Sequence, residues 1–131
     1  MNSKRNFSAK REAIYHGLAS TKSHPTAEWI HEQLHSSMPD LSLGTVYRNL
    51  SVFKETGLAK SVAVVNGQER FDADMSEHCH FICECCDAVI DIPNLRQIPD
   101  RNYVRQVEQE CRCSVRRHNI LFYGLCDECS E

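Results

Sequence analysis

The sequence predicts an α+β chain in two parts, a helical part followed by a cysteine-rich part that carries a small sheet. Three observations predict it. Three stretches with apolar residues at helical spacing lie before Gly57. Two β-prone stretches then flank Asn66-Gly67. Beyond residue 77, two Cys-x-x-Cys pairs bracket further strand and helix patterns.

The first helix has Ser8 as a plausible N-cap and a stripe of Ala9, Ala13, Ile14 and Leu18. The second opens at "HPTAEWIHEQLHSS". Pro25 closes the preceding loop, Thr26 caps, and Ala27, Ile30 and Leu34 share a face. The third is capped by Ser42, carries Leu43, Val46, Leu50 and Phe53 at helical spacing, and ends at Gly57. "LAKSVAVVNGQERFDAD" then reads as a hairpin, because Asn-Gly supplies the positive-φ pair of a tight turn. Three helices followed by a hairpin is the layout of a winged helix-turn-helix. The third helix is then the recognition helix. Its polar residues are Thr45, Tyr47, Arg48, Asn49 and Ser51. Arg reads guanine edges, Asn reads adenine, and hydroxyls hold phosphate. The plainer reading is a solvated helix face.

Net charge divides unevenly along the chain. It is −3 overall, but +3 over residues 1–60 and −6 over residues 61–131. A mildly basic first part and an acidic second part suggest two tasks. Hydrophobic residues make up 41 %, enough for a core and too many for a disordered chain. No apolar run approaches the ~18 residues of a membrane span, and the basic, polar start shows no signal peptide. A cytoplasmic location is expected, and no membrane partner.

In a reducing compartment, paired Cys-x-x-Cys spacings point to metal or redox chemistry more often than to disulfides. Cys83-x-x-Cys86 and Cys126-x-x-Cys129 supply four thiolates, the set a tetrahedral structural Zn²⁺ takes. Thirty-nine residues separate the pairs, so a structured insert is required. "AVIDI" (strand), "RNYVRQVEQEC" (helix) and "NILFYG" (strand) can form it. A thioredoxin-like redox pair or inert buried thiols are the competing readings. Cys79, Cys85, Cys111 and Cys113 read by default as ordinary small apolar side chains, with Cys79, between the two histidines, the exception that stands beside the candidate ligands. His78 and His80 alternate and so share one face of a strand. With Asp72, Asp74, Glu77 and Asp91 nearby, they form an imidazole and carboxylate set suited to Fe, Mn or Zn.

"HPTAEWI", "LSLGTVYRNLSVFKETGLA", "RFD", "HCHFICECC" and "YGLCDEC" together resemble the ferric-uptake-regulator (Fur) superfamily of metal-responsive repressors, along nearly the whole chain. The resemblance implies a homodimer with a winged-helix DNA-binding domain over residues 1–72, a hinge over 73–77 and an α/β dimerisation and metal-binding domain over 78–131. The chain is most similar to the peroxide-sensing (PerR) type. That likeness implies a regulatory Fe²⁺ or Mn²⁺ held by His24, Asp72, His78, His80 and Asp91. On the residues alone His31 and His35 rival His24, and the "HPTA" motif selects His24. The Asp of "RFD" stands where iron-sensing relatives usually carry Glu.

The resemblance further implies that Thr45, Tyr47, Arg48 and Asn49 meet a pseudo-palindromic double-stranded operator. Lys10 and Arg11, in "SAKR" where the family usually has "TPQR", would approach its backbone. Peroxide sensing of this type oxidises ligand imidazoles, here His24 and His78, and releases repression. It is stoichiometric, so no enzyme is expected. An iron- or zinc-level repressor of the same fold, a thiol redox protein, and a zinc-stabilised interaction module are the alternatives.

Overall fold

The computed structural model describes residues 2–92 and 102–130. Contacts divide the chain into two compact units, Met1–Ser76 and Glu77–Glu131.

The first unit is helical with a two-stranded wing. Helix α1 spans Asn2–Ala19, α2 Ala27–Leu34 and α3 Leu43–Thr56. Strands β1 (Lys60–Val65) and β2 (Gln68–Asp72) pair antiparallel. Thr26 and Ser42 are the N-caps expected of them, accepting from the backbone N–H groups of Trp29 and Thr45, both at 3.1 Å. Each such cap contributes about 1 kcal/mol. Gly57 ends α3 at φ 79°, a left-handed conformation that glycine adopts without steric cost. Asn66 and Gly67 both have positive φ, 52° and 79°, as the tight turn between twisted strands requires. The register slips between Ser61 and Ala63, a bulge that accompanies the burial of Val62. The ladder ends with Lys60 opposite Asp72. One difference from expectation concerns α1. It begins at Asn2, ahead of Ser8, whose side chain lies outside the described residues.

The core of this unit is one cluster: Ile14 and Leu18 from α1, Ala27 and Ile30 from α2, Val46, Leu50 and Phe53 from α3, with Leu41, Ala59 and Phe71. Each large apolar side chain removed from water there contributes roughly 1.5–3 kcal/mol. Phe71 binds β2 into the cluster, so the residues flanking it are held close to the helices.

The second unit contains β3 (Cys79–Cys83), β4 (Val89–Ile92), helix α4 (Asn102–Cys111), β5 (Leu121–Gly124) and a short 3₁₀ turn at Asp127–Cys129. The sheet order is β4-β3-β5. β3 pairs antiparallel with β4 and parallel with β5. The three insert elements read from the sequence are all present. The parallel pairing explains the long insert, because a parallel neighbour needs a crossover of a dozen residues or more.

Candidate metal centres and the face of helix α3

The cysteine centre is built by strand register. Cys83 of β3 lies opposite Gly124 of β5, so both Cys-x-x-Cys turns leave the same end of the sheet. The Glu84 N–H donates to the Gly124 carbonyl at 2.8 Å and fixes that alignment. Gly124 also leaves room, since a Cβ there would stand 3.3 Å from the ring of Phe81. Asp87, at φ 63°, reverses the chain after the first pair, and its N–H donates to the Cys83 carbonyl at 3.0 Å.

The sulfur atoms of Cys83, Cys86, Cys126 and Cys129 all lie within 4.8 Å of one another. Cys86 Sγ and Cys126 Sγ are 3.8 Å apart. Tetrahedral zinc with Zn–S bonds of ~2.3 Å needs an edge of ~3.8 Å, so the four sulfurs fit that ion. Backbone N–H groups of Cys86 and Cys126 point at the buried Cys83 sulfur, at 3.5 and 3.4 Å. They favour its thiolate and bring its pKa down to about 6. Hydrogen bonding to Cys126 and Cys85 raises the Cys129 thiol instead, with burial adding to it. The donor set is therefore graded, with the Cys83 thiolate favoured at neutral pH and the Cys86 and Cys129 thiols raised, holding their protons until a cation displaces them.

A second donor set begins on the same strand. His80 lies directly opposite Asp91 of β4. Its Nε2 is 3.2 Å from Asp91 Oδ1, and Nε2 of His78, one residue ahead of β3, is 3.1 Å from the same oxygen. The two rings stand 4.5 Å apart. Metal–ligand bonds of ~2.1 Å at right angles put adjacent ligand atoms ~3.0 Å apart, close to both spacings. His80 is fully buried, and Asp91 is about a quarter exposed. Two imidazoles converging on one carboxylate oxygen make a three-ligand cap for a divalent ion of the Fe, Mn or Zn kind.

Within the first unit, His24 Nε2 is 3.1 Å from Asp72 Oδ2, and His24 is buried. The other Asp72 oxygen accepts the Asp74 N–H at 2.9 Å, which orients the carboxylate toward the imidazole. His31, the sequence rival, is spent elsewhere: its Nε2 lies 2.7 Å from the Leu41 carbonyl. The exposed His35 ring sits 6.0 Å from that of His31.

The polar residues of α3 do not share one environment. Arg48 is exposed, Tyr47 is 42 % exposed and Thr45 is half-buried. Arg48 Nη2 donates to Thr45 Oγ1 at 3.0 Å. Asn49 departs from the sequence expectation. It is 1 % exposed, accepts from Arg11 Nε at 2.8 Å and donates to the Thr45 carbonyl at 2.9 Å. Its amide locks α3 to α1 and is not presented for reading a base. The same bond holds the Arg11 guanidinium inward. Lys10 is half-buried and lies 3.4 Å from Asp40.

Sequence reading missed two other features. Cys85, Cys111 and Cys113 are exposed and do not pack a core; Cys79 alone of the four unassigned cysteines is buried. His118 Nε2 pairs with Glu77 Oε1 at 3.2 Å, across more than forty residues of sequence, a distance no local pattern announces. No helix among the described residues is long and apolar enough to cross a membrane.

The comparisons bear on both units. The sequence matches the Ferric uptake regulator family over residues 3–123. It is 37 % identical over 123 residues to the peroxide-responsive repressor PerR of Staphylococcus epidermidis, covering 93 % of this chain and 79 % of that protein. It is 35 % identical to the repressor of the same name from Staphylococcus aureus, covering 93 % and 80 %. Among solved structures, the fold is similar to the Campylobacter jejuni peroxide stress regulator (TM-score 0.79, 23 % identity, 98 % of this chain and 94 % of that one). It is also similar to the Helicobacter pylori ferric uptake regulator (0.75, 22 %, 94 % and 81 %), a protein described as having three functional metal-binding sites. A winged first unit, a thiolate centre at the end of a three-stranded sheet and a match spanning nearly the whole sequence agree: this chain belongs to the ferric uptake regulator family, the metal-responsive regulators of transcription.

Proposed function

We propose that the protein is a dimeric repressor that senses hydrogen peroxide through oxidation of its own ligand histidines. The observation that carries this is the convergence of His78 and His80 on one oxygen of Asp91, at spacings a divalent ion requires. In this reading His24 and Asp72 of the first unit and His78, His80 and Asp91 of the second hold one Fe²⁺ or Mn²⁺. The four cysteines hold the structural Zn²⁺. Both donor sets are chemically suited to those ions. The names of the staphylococcal relatives support the peroxide reading over a metal-level one, as does the aspartate at position 72.

The chain's residues divide the work. The cysteines tie β3 to the turn after β5. Asp91 and Asp72 supply anionic charge and orient the imidazoles. His24, Asp72, His78, His80 and Asp91 would hold the ion jointly, and its differential affinity for one state would favour one arrangement of the DNA-binding domain (residues 1–72) and the dimerisation domain (78–131) about the hinge (73–77). Two recognition helices of a dimer then meet successive major grooves of a pseudo-palindromic operator, with Thr45, Tyr47 and Arg48 outermost. A ferrous ion held there would let hydrogen peroxide be reduced at the site: one oxygen atom passes to the imidazole of His24 or His78, which loses two electrons, and the other leaves as water. The oxidised ring would ligate poorly, and the DNA-binding arrangement would lapse.

The test is mass spectrometry of anaerobic Fe²⁺-loaded protein before and after stoichiometric peroxide, with DNA binding followed in parallel. One added oxygen on the peptide containing His24 or His78, with loss of DNA binding, is expected. Unmodified histidines with metal-dependent DNA binding would point to a metal-level regulator. Oxidation confined to cysteines would move sensing onto the exposed thiols.

A further inference from the structure

We propose that Arg70 is the positioning residue for His24, acting through the main chain of the turn that carries the imidazole. This rests on the reading of His24 as a metal ligand.

Ser23-His24-Pro25 links α1 to α2, and His24 has φ 57°. That left-handed region is costly for a residue with a Cβ. The following proline restricts it further, because its ring crowds the backbone of the residue before it. Left to local preference, this tripeptide would not hold the His24 side chain where it lies. Something outside the turn must hold it.

β2 provides that support with three consecutive residues. Arg70 Nε donates to the His24 carbonyl, and Arg70 Nη2 donates to the Ser23 carbonyl at 2.8 Å. The Phe71 N–H donates to the Pro25 carbonyl at 3.1 Å. Asp72 Oδ2 meets His24 Nε2 at 3.1 Å. The "RFD" strand thus grips each carbonyl of "SHP" and the imidazole as well. Phe71, buried in the core, anchors the strand that does so.

The chemistry selects arginine. Two carbonyls of adjacent residues diverge, and a planar guanidinium offers two N–H directions at fixed spacing. Lysine is a single point donor on a flexible stem and can satisfy one carbonyl at a time. Without the fork, the turn samples other conformations and the ligand-competent orientation of His24 becomes a fraction of the population. Apparent metal affinity falls by that fraction. Groups that orient a ligand from behind typically change metal affinity by about 10–100-fold.

The experiment uses the full chain with zinc bound, well below its unfolding temperature. Mn²⁺ affinity is measured for wild type, Arg70→Met, Arg70→Lys and His24→Ala, with zinc content and thermal unfolding recorded for each. The His24 ring signals are followed by NMR in the metal-free proteins. Arg70→Met is expected to bind Mn²⁺ about 10–100-fold more weakly, Arg70→Lys to fall between it and wild type, and zinc to stay stoichiometric. Broadened or doubled His24 signals without Mn²⁺ are expected in Arg70→Met. Wild-type Mn²⁺ affinity in Arg70→Met, with weak binding in His24→Ala, overturns the positioning role while leaving the ligand assignment intact. Wild-type affinity in His24→Ala overturns the ligand assignment and this inference together. Should Arg70→Met fail to fold, Arg70→Lys decides: unchanged Mn²⁺ affinity and a single His24 signal there overturn the proposal.

Discussion

Tyr47 Oη donates to Glu28 Oε1 at 2.6 Å, joining the face of α3 to the start of α2. The bond to Glu28 raises the Tyr47 phenol above its ordinary 10.0, and burial and the Glu28 charge add to the shift. A raised folded-state pKa means that the bond is present below pH 10 and is lost as pH rises through the raised value. Glu28→Ala should return the phenol to an ordinary titration, visible in the ultraviolet or by NMR. A variant phenol that titrates at the same pH as that of the wild type would show that the two side chains do not meet in solution.

Asn49→Ala should destabilise the first unit by about 1–3 kcal/mol, since it removes the buried amide that accepts from Arg11 and donates to the Thr45 carbonyl. The measurement is thermal or urea unfolding. Arg48→Ala, on the exposed part of the helix, should leave that stability within about 0.5 kcal/mol and weaken DNA binding instead. The reverse pattern would return Asn49 to the DNA-contacting set.

Cys126→Ser should abolish stoichiometric zinc and lower the thermal stability of the second unit while sparing the first, as zinc analysis and thermal unfolding would report. In the zinc-free reduced protein, thiolate absorbance should include a step near pH 6 that is lost in Cys83→Ser. Because that folded-state pKa is lowered, the stabilisation by the two N–H groups is present above the ordinary 9.0 and is lost as pH falls through about 6. Persistence of stoichiometric zinc in Cys126→Ser would exclude this four-sulfur site.

Lys54 and Glu69 tie α3 to the wing at 2.9 Å. Burial alone would raise the Glu69 carboxyl. Hydrogen bonds from Ser61 and Lys54, with the Lys54 charge, outweigh it and leave the pKa below the ordinary 4.5. The tie is therefore present above pH 4.5 and is lost as pH falls through the lowered value. Both groups are about a third exposed, so Glu69→Gln should cost no more than about 1 kcal/mol near neutral pH. A larger loss would mean that the wing depends on this pair for its position.

What could be read in advance follows the range of the interaction. The Thr26 and Ser42 caps, the Asn-Gly turn and the cysteine pairs are local chemistry and stand as expected. Asn49 was misread because it is polar, yet its spacing placed it inward. It lies three residues after Val46 and four before Phe53, on the stripe those two define. A polar residue on an apolar stripe signals a buried hydrogen bond, and Arg11 completes it. The start of α1 was misread because a good capping residue at position 8 does not end a helix that the preceding residues can extend. The grip of Arg70 on Ser23 and His24 spans more than forty residues. No periodicity encodes such a contact, and only the pairing of β2 beside the helices brings it about.

The parallel pairing of β3 with β5 has a consequence for synthesis. Cys86 and Cys126 are 40 residues apart. A ribosome adding about 5–20 residues per second needs roughly 2–8 s to make that interval. Throughout it, Cys83 and Cys86 have emerged or are emerging without the sulfurs that complete their tetrahedron. A nascent chain in an oxidant-stressed cell therefore passes through a window in which its first thiol pair is open to attack, before zinc can close it. Stress during translation would lower the yield of finished regulator, separately from any oxidation of molecules already folded.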